Sequence, residues 1–550
     1  MTEDLRNSII SELRCNNICA QASDNHILIQ TTIENIDLEL RCEFNEAFPY
    51  EFPSIYLNGD SQDKIPAMPH INTDGSICIF DEGVAVANFM QPEKLACETI
   101  QKAISIIQHG VRKENFWDFL DEFNAYWSTK AIFQANCFIE NLTESQSISF
   151  CFQERKGSSI LIAKSVEQLT ELYKRISLQD LIPSKINTGL LIPVDKDLDC
   201  EIPKTDIDII RLIEKHSSFA KVYNRFMQQH INSPVLLLFA QQTVKGIILS
   251  GWLHWGTGIP KGFRRGHVNL IAAFAQSSDR GIAISVENCS QNRLFNRGGD
   301  GKRTYWNKIA LIGCGSLGSM LADSLSYTGT SEYLLVDNQV LRYENIARHT
   351  RGYCFEGFSK TNAVEFGLEK HNPNIHCSCF NENAHLFLEN HIDDLNSCDA
   401  IFVSVASFAV EHHICEMVNA GTITVPVIIL WVEPYALGGH AILINKHQNL
   451  FEEMFDPTTL EFQFPLVADS TSLLKREAGC QSTYMPYSGF YLQMFILSVL
   501  EKLSHEDISN KRNYLFTWSG RLSSANEYGV QLTPLASSLG DFTWMERRID

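Results

Sequence analysis

The stretch from Lys308 to Ser319 reads Lys-Ile-Ala-Leu-Ile-Gly-Cys-Gly-Ser-Leu-Gly-Ser. Its apolar run, Ile309 to Ile312, has the length and composition of a buried parallel strand. Three glycines end the run, Gly313, Gly315 and Gly318, and a helical pattern follows from Ser319 to Tyr327. Glycines there let the backbone turn tightly and approach a phosphate, and the helix N-terminus behind them offers unpaired N–H groups and partial positive charge. A second strand, Glu332 to Val336, closes on Asp337, about 20 residues past the glycines, where an acid can accept hydrogen bonds from ribose hydroxyls. Three spaced glycines alone are a weak signal. Framed by a strand, a helix and that acid, they specify a nucleotide site on a Rossmann-like α/β sheet.

The residues just downstream narrow the nucleotide. Asn345-Ile-Ala-Arg348 follows the second strand, and Lys360 comes soon after. A dehydrogenase needs no cations at these positions. An enzyme that cleaves a triphosphate does, because pyrophosphate leaves with concentrated negative charge that Arg and Lys stabilise. The block from Lys308 to Lys360 resembles the adenylation core of ubiquitin-activating enzymes and of the bacterial ThiF and MoeB proteins. That resemblance implies ATP, with Asp337 on the ribose and Asn345, Arg348 and Lys360 around the phosphates, the two cations assisting catalysis. Arg297, in Phe295-Asn-Arg-Gly-Gly299, stands where the family often places another arginine. The family usually carries an acid after its next strand that helps to hold Mg2+. Here that stretch, Asp399-Ala-Ile-Phe-Val-Ser-Val-Ala-Ser407, has no second acid. Ser404 and Ser407 are poor ligands for a hard cation, so the Mg2+ ligands stay unassigned.

Composition sets outer bounds. A chain of 550 residues exceeds one core, and two to four domains are expected. The net charge of −20 argues against non-specific nucleic-acid binding, which needs basic surface to displace counterions. No apolar run approaches the roughly 20 residues that span a bilayer. The N-terminus, Met1-Thr-Glu-Asp-Leu-Arg6, lacks the apolar core of a signal peptide. Sixteen cysteines without that signal predict reduced thiols and a cytoplasmic chain. None forms a CxxC pair, and Cys377-Ser-Cys379 has the wrong spacing for a zinc loop, so no metal ligands are assigned.

Taken in order, residues 1–127 read as one unit. A helix over Leu5 to Cys19 is followed by strands at His26 to Thr32, Ile36 to Phe44 and Ile55 to Leu57. Between the last two lies a proline-rich turn, Phe48-Pro-Tyr-Glu-Phe-Pro53. Then come His70-Ile-Asn72, an Asp74-Gly75 turn, Cys78, and a helix from Lys94 to His109. This order resembles the ubiquitin-conjugating fold, whose usual His-Pro-Asn reads His70-Ile-Asn72 here. The resemblance implies a catalytic Cys78, with Asn72 stabilising the oxyanion of an attacked thioester. The loop joining the two is about two residues shorter than in eukaryotic members. Residues 128–285 alternate strands with amphipathic helices and read as an α/β linker domain. Their Gly251-Trp-Leu-His-Trp-Gly256 and Pro260-Lys-Gly-Phe-Arg264 motifs look like packing corners.

Residues 286–550 form the adenylation half, expected to carry its catalytic cysteine segment around 470–488. The strand Val425 to Trp431 leads to Glu433 and His440, and His440 stands open between a site residue and a structural one. Cys480 lies in a loop shortly after Lys475 and Arg476, ahead of a helix from Gly489 to Leu503. Cations and a helix N-terminus favour thiolate, the form an acyl transfer needs. Activating enzymes keep a catalytic cysteine at this position.

A conjugating-like module followed by an activating-like one resembles the bacterial fusion of type II CBASS antiphage operons. The resemblance implies that ATP adenylates a partner's C-terminus, the C-terminal tail of a cGAS-like nucleotidyltransferase. The acyl group would pass to Cys480, then to Cys78, then to a lysine or other amine of a target. A homodimer is implied by the same resemblance. Two alternatives stay open. One is a ThiF/MoeB-type adenylyltransferase acting on a ubiquitin-like or sulfur-carrier protein. The other is a non-catalytic nucleotide-binding scaffold.

Overall fold

The computed structural model describes all residues except Met1, 24–25, 67, 73, 81–83, 116–126, 154–158, 195–202, 217, 244–245, 278–279, 303–305, 446–449, 477–482, 505–512 and Asp550. By its contacts the chain divides into two compact units, Met1–Leu169 with Leu181–Asn288, and Thr170–Asp180 with Cys289–Asp550.

The first unit opens with the helix Glu3–Cys15. Thr2 caps it by accepting the Leu5 N–H, and Glu3 and Asp4 in its first turn suit the helix dipole. The helix stops short of the expected Cys19 because Asn17 turns to a positive φ of 60°. Four strands follow as an antiparallel meander: β1 (Cys19–Ala22), β2 (His26–Ile33), β3 (Ile36–Glu43) and β4 (Ser54–Leu57). Glu34 and Asn35, both at positive φ, close the β2–β3 hairpin so that Ile33 pairs with Ile36. Leu38, Leu40 and Cys42 alternate inward along β3. The helix Pro92–Val111 contributes Ile100, Ala103 and Ile107 to the same core.

Seven further strands of this unit are β5 (Phe133–Cys137), β6 (Gln146–Gln153), β7 (Ser159–Ala163), β8 (Asn187–Val194), β9 (Val235–Thr243), β10 (Gly246–His254) and β11 (Ile282–Asn288). They close into a barrel in the order β10-β11-β5-β7-β6-β8-β9. The apolar run in β9 is buried on both faces. Leu236 and Leu238 pack among other strands, while Leu237 and Phe239 pack under the helices Asp206–His216 and Ala220–His230. The Gly251–Gly256 motif is a packing corner. Trp252 Nε1 donates to Asp206 Oδ1 (2.8 Å), which also meets His254 Nδ1 (2.5 Å), and all three side chains are buried.

The second unit holds β12 (Lys308–Ile312), β13 (Glu332–Val336), β14 (His376–Phe380), β15 (Ala400–Val403), β16 (Val427–Val432), β17 (Gly438–Ile444), the short pair β18 (Lys475–Arg476) and β19 (Thr483–Tyr484), β20 (Tyr514–Ser519) and β21 (Trp544–Arg548). Its main sheet runs β14-β13-β12-β15-β16-β17-β20-β21. The first five of these strands pair in parallel; β17, β20 and β21 add on antiparallel. The expected parallel sheet is therefore a mixed one. A short turn, Pro434–Ala436, and not a crossover helix, follows β16, so the chain doubles straight back. Alternate residues of β12 feed two cores, Ile309 and Leu311 on one face, Ala310 and Ile312 on the other. The order reverses direction between β12 and β15, the point at which such sheets open a crevice for ligands.

Candidate active site

At that crevice lies a cavity of about 660 Å³. The glycines shape it in three different ways. Gly313 adopts a φ of 99°, closed to other residues without strain. Gly318 packs so tightly that an added Cβ would lie 1.9 Å from the Gly313 carbonyl oxygen. Gly315 is the opposite case, with nothing within 4 Å of an added Cβ. It caps the helix Ser316–Ser326 and lines the cavity with Ser316 and Leu317, so a ligand can come right up to backbone.

Asp337 lines the cavity at the end of β13. Its Oδ2 accepts the Cys314 N–H at 2.9 Å and its Oδ1 the Gln339 N–H at 2.8 Å. Each carboxylate oxygen keeps a second lone pair for a hydroxyl donor. Lys360, the first residue of the helix Lys360–His371, is 8% exposed, and its Nζ donates to Gln339 Oε1 at 2.7 Å. Arg348 also lines the cavity. Its Nη1 donates to the Met485 carbonyl at 3.0 Å, and its guanidinium lies 4.5 Å from the Tyr487 ring centre.

The remaining expected residues are placed elsewhere. Asn345 is not among the cavity residues; its Oδ1 accepts the Arg342 N–H at 3.0 Å, capping the turn Tyr343–Asn345. Asp399 sits at the opposite end of the sheet, accepting the Asn307 and Lys308 N–H groups. His440 is fully buried, with Nε2 on Glu433 Oε1 (2.5 Å) and Nδ1 facing Thr517 Oγ1 (3.1 Å). Glu433 also accepts the Leu466 and Val467 N–H groups, so this pair pins a loop and His440 is structural. Among the described residues the cavity carries two carboxylates, Asp337 and Glu382, the latter after β14 instead of β15. Among the described residues no group of three or more His, Cys, Asp or Glu is placed to hold a metal ion.

Cys480 lies outside the described residues, but the strands on both sides of it do not. Lys475 in β18 pairs with Tyr484 in β19. Thr483, Tyr484, Met485 and Tyr487 all line the nucleotide cavity. Tyr435, held at a positive φ of 58°, ties this stalk down. Its N–H donates to the Pro486 carbonyl, and its ring stacks on Tyr528 at 4.3 Å. Backbone strain of this kind persists only where surrounding contacts impose it.

In the first unit Cys78 is exposed. Its N–H donates to the His70 carbonyl at 2.8 Å, and Ile71 bridges Ile77, so His70 to Cys78 is one tight loop. Asn72 Nδ2 donates to Ser76 Oγ at 2.9 Å, within the arm that leads to Cys78. Asp74 accepts both the N–H and the hydroxyl of Ser76, which holds its carboxyl below the usual range.

Several supporting residues were not foreseen. Ser404 Oγ donates to the Gly313 carbonyl at 2.9 Å. Arg351 forks onto Asp323 with 2.9 and 2.7 Å contacts. His349 bonds the Cys314 carbonyl. Their partners are backbone atoms or residues far along the chain, which no local pattern announces. Trp431 lines the cavity and also a small apolar space beside Glu411, whose pKa burial raises to about 7. The folded state thus binds this proton more tightly than the unfolded chain, so stability falls as pH rises between about 4.5 and 7. Glu411→Gln is expected to stabilise the protein by about 2 kcal/mol at pH 8 and by almost nothing at pH 4.5. Denaturant midpoints at both pH values test this; equal gains at each would refute it.

A doubly wound sheet with a glycine loop, an acid closing the second strand, a buried lysine and a half-buried arginine defines a nucleotide-binding Rossmann-like domain. Residues 294–517 match the ThiF family, and residues 13–134 match prokaryotic E2 family B. The chain is a fusion of an E2-like segment with a ThiF-family segment. It is similar to the ATP-dependent ubiquitin transferase-like protein Cap2 of Pseudomonas aeruginosa, 21% identical over 458 residues, covering 80% of this chain and 79% of that one. It is also 25% identical over 124 residues to the uncharacterized protein y4oA of Sinorhizobium fredii, covering 22% of this chain and 18% of that protein. Among solved structures, selenomethionine PaaA is 16% identical with a TM-score of 0.29, over 44% of this chain and 64% of that one. Escherichia coli MccB with ATP is 16% identical with a TM-score of 0.26, over 44% of this chain and 63% of that one. The chain thus spans just under two thirds of each of those two structures. The family matches and the Cap2 relative support ATP-dependent adenylation and ubiquitin-like conjugation as the general class of activity.

Proposed function

We propose that the protein adenylates the C-terminus of a partner protein and conjugates it to a target amine through two successive thioesters. The observation that carries this is the shared cavity: Gly315, Asp337, Arg348 and Lys360 line it together with Thr483 and Tyr484, three and four residues beyond Cys480. An acyl-adenylate formed there would lie beside the stalk of a cysteine segment.

The residues suit ATP. Asp337 can take the ribose hydroxyls, and the open backbone at Gly315 and the helix N-terminus can take the phosphates. Lys360 and Arg348 supply the positive charge for departing pyrophosphate. Mg2+ would arrive on the triphosphate, with Glu382 as the carboxylate that the described cavity residues offer besides Asp337. A carboxylate oxygen of the partner's tail attacks the α-phosphorus, and the bond to the β-phosphate oxygen breaks. The Cys480 thiolate then attacks the acyl carbon, and AMP leaves with the bonding electron pair. Cys78, exposed on its loop, takes the acyl group by thioester exchange. A target amine, such as a lysine, attacks next, loses a proton and releases the Cys78 thiolate.

The module division 1–127, 128–285 and 286–550 serves this scheme, with the barrel module between the two thiols in sequence order. The tail of a cGAS-like nucleotidyltransferase is the proposed partner, in a type II CBASS antiphage setting; a ubiquitin-like protein is the alternative. The enzyme is proposed to act in the cytoplasm as a homodimer. Among the described residues no helix is long and apolar enough to cross a membrane.

Non-reducing electrophoresis of the full chain with ATP and the partner tests the scheme. One thiol-sensitive adduct is expected to vanish in Cys480→Ala, and a second in Cys78→Ala with the first retained. Product formation that survives Cys78→Ala would favour a sulfur-carrier adenylyltransferase. Absence of ATP–pyrophosphate exchange with every tail supplied would leave only a nucleotide-binding scaffold.

A further inference from the structure

We infer that His349 is a positioning residue for the nucleotide: it fixes the peptide between Cys314 and Gly315 so that the Gly315 N–H is offered to a phosphate. The inference rests on the adenylation proposed above.

His349 is 6% exposed and sits directly after Arg348. Its Nε2 lies 2.9 Å from the Cys314 carbonyl, and its Nδ1 accepts the Arg351 N–H at 3.0 Å. A carbonyl can only accept and an amide N–H can only donate. The ring is therefore neutral, with its proton on Nε2. Burial holds the pKa below the ordinary histidine value, and Arg351 and Lys360 add to that, although the Cys314 bond and Asp323 act the other way.

The consequence follows from peptide geometry. In a planar trans peptide the C=O and the N–H point in opposite directions. Holding the Cys314 carbonyl on His349 turns the Gly315 N–H away from His349. At Gly315 no side chain resists a flip of this peptide, because glycine has no Cβ and open space lies around it. On the near side, Asp337 Oδ2 grips the Cys314 N–H at 2.9 Å. Cys314 is thus clamped by its N–H from the ribose acid and by its carbonyl from His349. Neither clamp touches a phosphate, yet together they set the backbone that would.

Glutamine can both donate and accept through its amide, whereas leucine can do neither. In the full-length chain, His349→Leu is expected to weaken ATP binding roughly tenfold, the scale of one well-placed hydrogen bond. In pyrophosphate exchange the KM for ATP should rise by about the same factor, with kcat within about threefold of wild type. His349→Gln should restore ATP binding to within about threefold, and adenosine, which has no phosphate, should bind all three proteins alike. ATP bound equally by wild type and His349→Leu would overturn the assignment, as would parallel losses of ATP and adenosine. Should the leucine variant fail to fold, glutamine decides: a loss beyond about tenfold overturns the assignment, and a loss within about threefold upholds it. A wild-type protein that binds no ATP would instead sink the adenylation proposal itself.

Discussion

Lys360→Ala is expected to slow ATP–pyrophosphate exchange roughly 10²–10³-fold, the loss typical of removing one preorganised charge from a transition state. Lys360 is 8% exposed, so its field acts through little intervening water. Its Nζ is aimed at Gln339 Oε1, two residues past Asp337, and both Lys360 and Gln339 line the cavity. Lys360→Arg should rescue poorly, because a planar fork cannot replace a point charge in a buried niche of this size. The fold should survive, since the partner Gln339 faces the cavity and can bond water instead. The checks are exchange assayed with radiolabelled pyrophosphate and a thermal midpoint for each variant. An exchange rate within about threefold of wild type would remove Lys360 from the chemistry.

Gly318→Ala and Gly315→Ala should fail in opposite ways. An alanine Cβ at Gly318 would lie 1.9 Å from the Gly313 carbonyl oxygen and 2.9 Å from Ser404 Oγ. Neither helix nor strand can shift without disturbing a fully buried core that includes Leu311 and Leu321. The expected loss is about 3 kcal/mol or more, at the upper end for overpacking. At Gly315 the added methyl meets nothing within 4 Å, so stability should change by less than about 1 kcal/mol. The methyl would instead project where the backbone must approach a phosphate, and ATP affinity should fall roughly tenfold or more. Chemical denaturation and ATP titration of the two variants separate these effects. Equal stability losses in both would contradict the different surroundings of the two glycines.

The glycine loop is legible in the sequence, since tight turning and close phosphate approach are local demands on backbone that only glycine meets cheaply. Asp337, Arg348 and Lys360 stand out in the sequence by their order after that loop, and all three line one cavity. Asn345 was drawn toward the phosphates by the same order, yet its side chain caps its own turn, a local bond that needs no ligand. His440 could not be settled from sequence because its partner Thr517 lies 77 residues away. The closing of seven strands into a barrel was likewise unreadable, for no local signal says that β11 must pair with β5, Ile284 with Phe133, 151 positions away. The apolar run Val235–Ala240 of β9 is buried along its whole length.

By itself the sequence determined what each stretch can be: strand, turn or helix, thiol or cation, and the order of a conjugating-like module before an adenylating one. Those properties follow from backbone sterics and side-chain chemistry within a few residues. Only the tertiary structure decided which groups meet. It brought the stalk beside Cys480 to the nucleotide cavity, buried His440 on Glu433 and set His349 on the Cys314 carbonyl. Those pairings depend on residues 7 to 137 positions apart, whose approach is governed by how whole sheets and helices bury their apolar faces.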